Sequence, residues 1–174
     1  MENVTRTQST EDRRQTVNSD IRLSVRIDLF KYPDGTKALS DINLEVKKGE
    51  FIGMLGSNGS GKTTLLKVMD GLLKSFEGSI LLDGADIKKL SPKEIYRKVG
   101  LIFQNPDDQL FATTVFEDVA FGPINMGFPE KEVISRVKNA LKDVEMAGNA
   151  KKSIHNLSFG QKKRICICLL YTSD

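Results

Sequence analysis

The sequence predicts an α/β domain: a β-rich segment first, then a core of strands and helices, with a helical subdomain inserted at about residues 105–156. Three observations predict it. Apolar residues alternate with a period of two through the first segment. Two short continuous apolar runs, 51–55 and 99–103, have the composition of strands buried on both faces. The interval 105–156 shows helical spacing and no strong strand run. The chain has 174 residues, enough for one domain with a real core, and 39% hydrophobic with 28% charged residues is an ordinary globular balance.

The elements follow in order. Residues 1–20 are Thr, Ser, Asn, Gln and charge, and are expected to be disordered or a non-native leader. Ile21, Leu23, Val25, Ile27 and Leu29 mark a half-buried strand, and Tyr32-Pro33-Asp34-Gly35 a turn. Ile42, Leu44 and Val46 mark a second strand, and 51–55 a third, central one. Leu65, Leu66, Met69, Leu72 and Leu73 give helical spacing over 63–73. A strand at 78–82 ends in the Asp83-Gly84 turn, Ser91-Pro92 opens a short helix, and 99–103 reads as a buried strand. Thr114 and Glu117 fit a capping box before a short apolar helix. Val133, Val137, Leu141 and Val144 share one face of a helix over 130–146, and Ser158 caps a last helix running toward Leu170.

Several function classes are disfavoured. No apolar run approaches the ~18–20 residues a membrane span needs, and the polar start is no secretory signal. A net charge of +3 with scattered lysine pairs, Lys162-Lys163 among them, reads as solvated surface; no nucleic-acid partner is expected. Two cysteines and one histidine cannot build a four-ligand zinc site, so Cys166 and Cys168 are expected as reduced thiols and His155 as structural.

The chemistry lies in Gly56-Ser57-Asn58-Gly59-Ser60-Gly61-Lys62-Thr63, which matches G-x-x-x-x-G-K-[ST] at every fixed position, between a strand-like run and a helical one. Glycines let backbone N–H groups converge on an anion, and the following helix aims its positive end at the same point. Lys62 supplies a mobile cation for the β- and γ-phosphates, and the Thr63 hydroxyl suits Mg2+. Gly56 to Thr63, with the adjoining Thr64, are therefore the expected nucleotide-binding residues.

Downstream, Leu157-Ser158-Phe159-Gly160-Gln161, followed by Lys162-Lys163-Arg164, closely resembles the LSGGQ signature of ABC ATPases. Taken alone, Ser158 is also an ordinary helix N-cap. The resemblance implies a P-loop core with an N-terminal antiparallel β subdomain. It implies that the signature meets ATP held by another subunit's loop. It also implies that Gln104 is the Q-loop glutamine, contacting Mg2+ or the attacking water, and that Tyr32 stacks on adenine; by themselves these are a strand-end Gln and a turn Tyr. The runs Phe103-Gln104-Asn105-Pro106-Asp107-Asp108-Gln109-Leu110-Phe111 and Glu117-Asp118-Val119-Ala120-Phe121-Gly122-Pro123 look like the cobalt/nickel and energy-coupling-factor importers. The resemblance covers about 21–167.

Two departures stand out. Phe159 replaces the first glycine of the signature pair. The family continues past the signature helix into a strand ending in Asp-Glu and a later switch histidine, whereas 168–174 reads as a non-native tail. The expectation is a partial domain, with the C-terminal part of the core missing, ATP binding weak at best, and negligible hydrolysis for lack of Walker B and the general base. The implied cofactors are ATP and Mg2+. The implied partners are a second ATPase subunit, the same or a related chain, a transmembrane coupling protein and a substrate-binding membrane subunit, placing the chain at the cytoplasmic membrane face. The rival readings are a soluble ABC ATPase acting on DNA or ribosomes and a non-hydrolysing nucleotide-binding protein. The interval from Gln104 to Leu157 leaves no room for the long coiled coils of chromosome-maintenance relatives.

Overall fold

The computed structural model describes residues 20–172. The expected leader lies outside the described residues apart from Asp20, whose carbonyl accepts the Lys48 N–H at 2.8 Å. Strands β1 (Ile21–Lys31) and β2 (Lys37–Lys47) form a hairpin closed at the Tyr32–Gly35 turn, where the Gly35 N–H donates to the Tyr32 carbonyl at 2.9 Å and Gly35 has φ 86°. Strand β3 (Phe76–Leu82) pairs with the other edge of β1, and β4 (Ala85–Asp86) folds back on it, giving one antiparallel sheet of order β2-β1-β3-β4.

The alternation of β1 holds until a bulge. Val25 and Ile27 are buried, but the β1–β3 register shifts between Ile27 and Leu29, so Phe30 turns inward and Leu29 is only half-buried. One extra residue reverses the face of everything beyond it. Gly78 sits opposite Ile27 with φ 114°, and a Cβ there would lie 2.2 Å from the Arg26 carbonyl oxygen, so only glycine fits.

Helix α1 (Lys62–Met69) ends four residues earlier than its apolar spacing suggests. Gly71, at φ 75°, donates to the Val68 carbonyl while Leu72 donates to that of Lys67, a Schellman stop that a left-handed glycine makes possible. A short helix α2 (Pro92–Tyr96) opens with a Ser91–Glu94 capping box. These pack with the sheet around Ile27, Val68, Ile80, Ile87 and Ile95.

A second core is helical. Helices α3 (Val115–Met126), α4 (Glu130–Asp143) and α5 (Phe159–Tyr171) enclose Val119, Val137, Leu141, Met146, Ile165 and Cys166. Capping boxes at Thr114–Glu117 and Ser158–Gln161 start α3 and α5. Helix α4 stops short of Met146 because Glu145 is left-handed (φ 59°) and Met146 folds under, donating to the Leu141 carbonyl at 2.7 Å. Helix α5 continues through Cys168 to Tyr171, into the stretch expected as a tail; Cys168 and Thr172 are buried, and Leu170 packs so closely on Gly100 that a Cβ there would lie 2.3 Å from its Cδ2.

Two expected strands are corrected. Residues 51–55 and 99–103 have no regular structure, and Phe51 and Leu55 are 99% and 96% exposed. A strand is stable only through a neighbour's hydrogen-bond ladder, and among the described residues none pairs with either segment.

Candidate functional site

The glycine-rich turn 56–61 runs over the surface into the N-terminus of α1. Gly59 and Gly61 both have positive φ, 80° and 87°, and Gly61 is the residue that precedes the helix. A Cβ on Gly61 would lie 2.7 Å from the Ala38 carbonyl oxygen, and one on Gly56 2.8 Å from Ser60 Oγ. The loop is thus closed to a side chain at Gly61, where the obstacle is backbone, whereas at Gly56 it is the movable Ser60 hydroxyl. Within it the Ser60 N–H donates to the Ser57 carbonyl at 3.3 Å, while the amides of Gly59, Gly61, Lys62 and Thr63 have no acceptor among the described residues. Four unpaired donors at a helix start suit an anion.

Lys62 curls back over this turn. Its ammonium donates to the carbonyls of Gly56 (2.8 Å) and Ser57 (2.7 Å) and to Ser60 Oγ (3.3 Å). These are weaker acceptors than phosphate oxygens, so an anion in the turn can exchange for them at little cost. Thr64, expected to bind nucleotide, is buried, and its hydroxyl is 2.8 Å from that of Tyr32. The Tyr32 ring stands edge-on to Phe30, centroids 5.1 Å apart. Tyr32 thereby braces the first turn of α1 against the β1–β2 turn.

Beside the loop is a cleft of about 550 Å³ lined by Lys62, Thr63, Leu66 and Lys67 from α1, Met54 before it, and Leu101 to Gln104 and Asp108 on the opposite wall. It brings together Lys62, Thr63 and Gln104, which are distant in sequence. Two lysines face one carboxylate, Asp108, so the field favours an anion. The donor set also fits a hard cation bound through phosphate oxygens. Thr63 and Gln104 offer neutral oxygens from the two walls, and Mg2+ ordinarily takes few protein ligands; no group of three His, Cys, Asp or Glu capable of holding a metal occurs among the described residues.

The signature residues Leu157, Ser158, Phe159, Gly160 and Gln161 are not among those lining this cleft. Leu157 is buried; Ser158 and Gln161 bond reciprocally, Oγ accepting the Gln161 N–H at 3.3 Å and Oε1 the Ser158 N–H at 3.0 Å. Phe159 is 61% exposed, so the departure from glycine places an aromatic ring on the surface at the start of α5.

Sequence reasoning missed three residues that build the Gln104 wall. Gln109 takes the place of a missing ladder: its Oε1 accepts the Phe103 N–H at 3.1 Å and its Nε2 donates to the Leu101 carbonyl at 3.3 Å. Lys162 and Lys163, read as solvated surface, instead turn inward from α5. Lys162 bonds Asp107 at 2.6 Å, and Lys163 donates to the Phe103 carbonyl at 2.9 Å and to that of Gln104. Adjacent lysines on a helix give no signal of this in one dimension.

A family model described as ABC transporter matches residues 39–174. A protein of Geobacter sulfurreducens provisionally named an ABC transporter ATP-binding protein is 67% identical over 84% of this chain and 53% of its own length. The energy-coupling factor transporter ATP-binding protein EcfA of Methanocaldococcus jannaschii is 55% identical over 79% of this chain and 50% of its own. The chain spans about half the length of these curated relatives. Among solved structures, cbiO1 from Clostridium perfringens, described as part of the ABC transporter complex cbiONQ, is similar at TM-score 0.77 and 41% identity, covering 88% of this chain and 62% of that one. Motif, fold and relatives agree, and the chain belongs to the ABC transporter family.

Proposed function

We propose that this chain is the ATP-binding part of an energy-coupling subunit of an importer of the energy-coupling-factor or cobalt/nickel type. The observation that carries the reading is the cleft that gathers Lys62, Thr63 and Gln104 beside unpaired loop amides. The amides of Gly59 to Thr63 would cradle the β- and γ-phosphates, Lys62 would move from the Gly56 and Ser57 carbonyls onto their oxygens, and Tyr32 would support the base side. Thr63 and Gln104 would hold Mg2+, which when bound neutralises charge on the phosphates.

The likeness to EcfA and cbiO1 supports a membrane assembly. In it a second ATPase subunit, the same chain or a related one, presents its own signature to this loop. Leu157 to Gln161 of this chain serve the partner's nucleotide in return. A transmembrane coupling protein and a substrate-binding membrane subunit complete the assembly, with the ATPase peripheral on the cytoplasmic face and a metal ion or vitamin as cargo. No helix among the described residues is long and apolar enough to cross a membrane.

Hydrolysis by this chain alone is expected to be negligible. Asp108 is the one carboxylate among the cleft's lining residues, and its Oδ1 is engaged by the Asn105 amide at 3.2 Å. The direct test is ATP titration of Lys62→Ala, which should abolish binding; unchanged affinity would refute the cradle, and rapid turnover by the purified chain would refute the lack of a base.

A further inference from the structure

We propose that Lys163 is a positioning residue of the cleft: from the second turn of α5 it clamps the main chain at Phe103 and Gln104 and so sets where the Gln104 amide points. The inference rests on the reading of the cleft as a nucleotide site.

Residues 101–104 belong to no sheet, so no ladder holds them. Side chains do so instead. Gln109 holds the segment at Leu101 and Phe103, and Lys163 holds its end through two consecutive carbonyls, Phe103 at 2.9 Å and Gln104. One ammonium shared by two successive carbonyls restricts the peptide between them, and charge-assisted bonds are the stronger kind. The lysine is itself confined: its Nζ lies 5.7 Å from the centre of the Phe159 ring, and the neighbouring Lys162, only 14% exposed, is tied to Asp107 at 2.6 Å. The Ser158–Gln161 cap and this clamp thus occupy successive turns of one helix, and any shift of the signature end of α5 carries the Gln104 backbone with it. A lysine serving only to solvate the helix would face water; this one faces the wall of the cleft.

The test titrates the full chain with ATP, once in Mg2+ and once in EDTA, and reads the ratio of the two affinities. Gln104→Ala is expected to lower that ratio about fivefold, Lys163→Met to lower it by about the same factor, and the double variant to lower it no further. Lys163→Gln, which keeps a donor on a shorter arm, gives the same direction should the methionine variant not fold. Additive losses in the double variant overturn the clamp, as do losses equal in Mg2+ and EDTA, or a Gln104→Ala ratio like the wild type's. Failure of the nucleotide reading looks different: the unaltered chain does not bind ATP, or Lys62→Ala binds it as well as the wild type.

Discussion

Replacing Gly61 by alanine separates the two reasons a glycine can be required. At φ 87° an L-residue is disfavoured by about 1 kcal/mol wherever it sits. At Gly61 the new Cβ also lies 2.7 Å from the Ala38 carbonyl oxygen and 3.0 Å from Leu39 Cδ2. The first contact is with backbone, in strand β2, so α1 and the sheet must separate, an overpacking strain of roughly 1–3 kcal/mol. The sum is about 2–4 kcal/mol. Gly127, at φ 84° with nothing within 4 Å of its Cβ, supplies the control: Gly127→Ala should lose only the first part, about 1 kcal/mol. Urea unfolding of the two variants measures the difference. Because Gly61 precedes the first turn of α1, its variant should also weaken ATP binding, while Gly127→Ala should not. Equal stability losses, or full ATP affinity in Gly61→Ala, would refute the argument that the loop is held by its approach to β2.

Two further outcomes are expected. Burial pushes the Asp70 carboxyl up to about 6 from 3.8, so the folded state takes up a proton that the unfolded chain does not hold between those values. This contribution to stability is fully present below pH 3.8 and is lost as pH rises through 6. Asp70→Asn should therefore gain roughly 1–3 kcal/mol at pH 7 relative to the wild type and less toward pH 4, and a variant less stable than wild type at pH 7 would contradict it. Burial likewise raises the Cys166 thiol to about 11 and that of Cys168 to about 12, and neither side chain is exposed. Both should resist a water-soluble disulfide reagent in the folded chain and react on unfolding; rapid labelling of either in native buffer would show that α5 is not packed as described.

Much of the site was legible in one dimension because its chemistry is local. The glycine-rich loop needs positive φ at Gly59 and Gly61 and an ammonium next to them, all within eight residues. The capping boxes at Ser91, Thr114 and Ser158 join residues three apart, and each was either expected or formed where a Ser or Thr precedes a helix. The β1–β2 hairpin likewise depends on adjacent alternating runs and the turn between them. What failed was whatever depended on a remote neighbour. Apolar composition at 51–55 and 99–103 marks a segment able to enter a sheet, not one that has found a partner.

The sequence by itself therefore determined a glycine-rich turn into a helix, a hairpin, three capped helices in the second half and membership of the ABC family, since each rests on short-range stereochemistry or a contiguous motif. Only the tertiary structure decided that Phe30 and not Leu29 enters the core, that Tyr32 braces Thr64, that Lys62, Thr63 and Gln104 share one cleft, and that Lys162 and Lys163 hold its wall. The reason is that a bulge, a cross-element hydrogen bond and a lysine's choice between water and a carbonyl are all set by what lies opposite in space. That neighbour is tens of residues away in the chain.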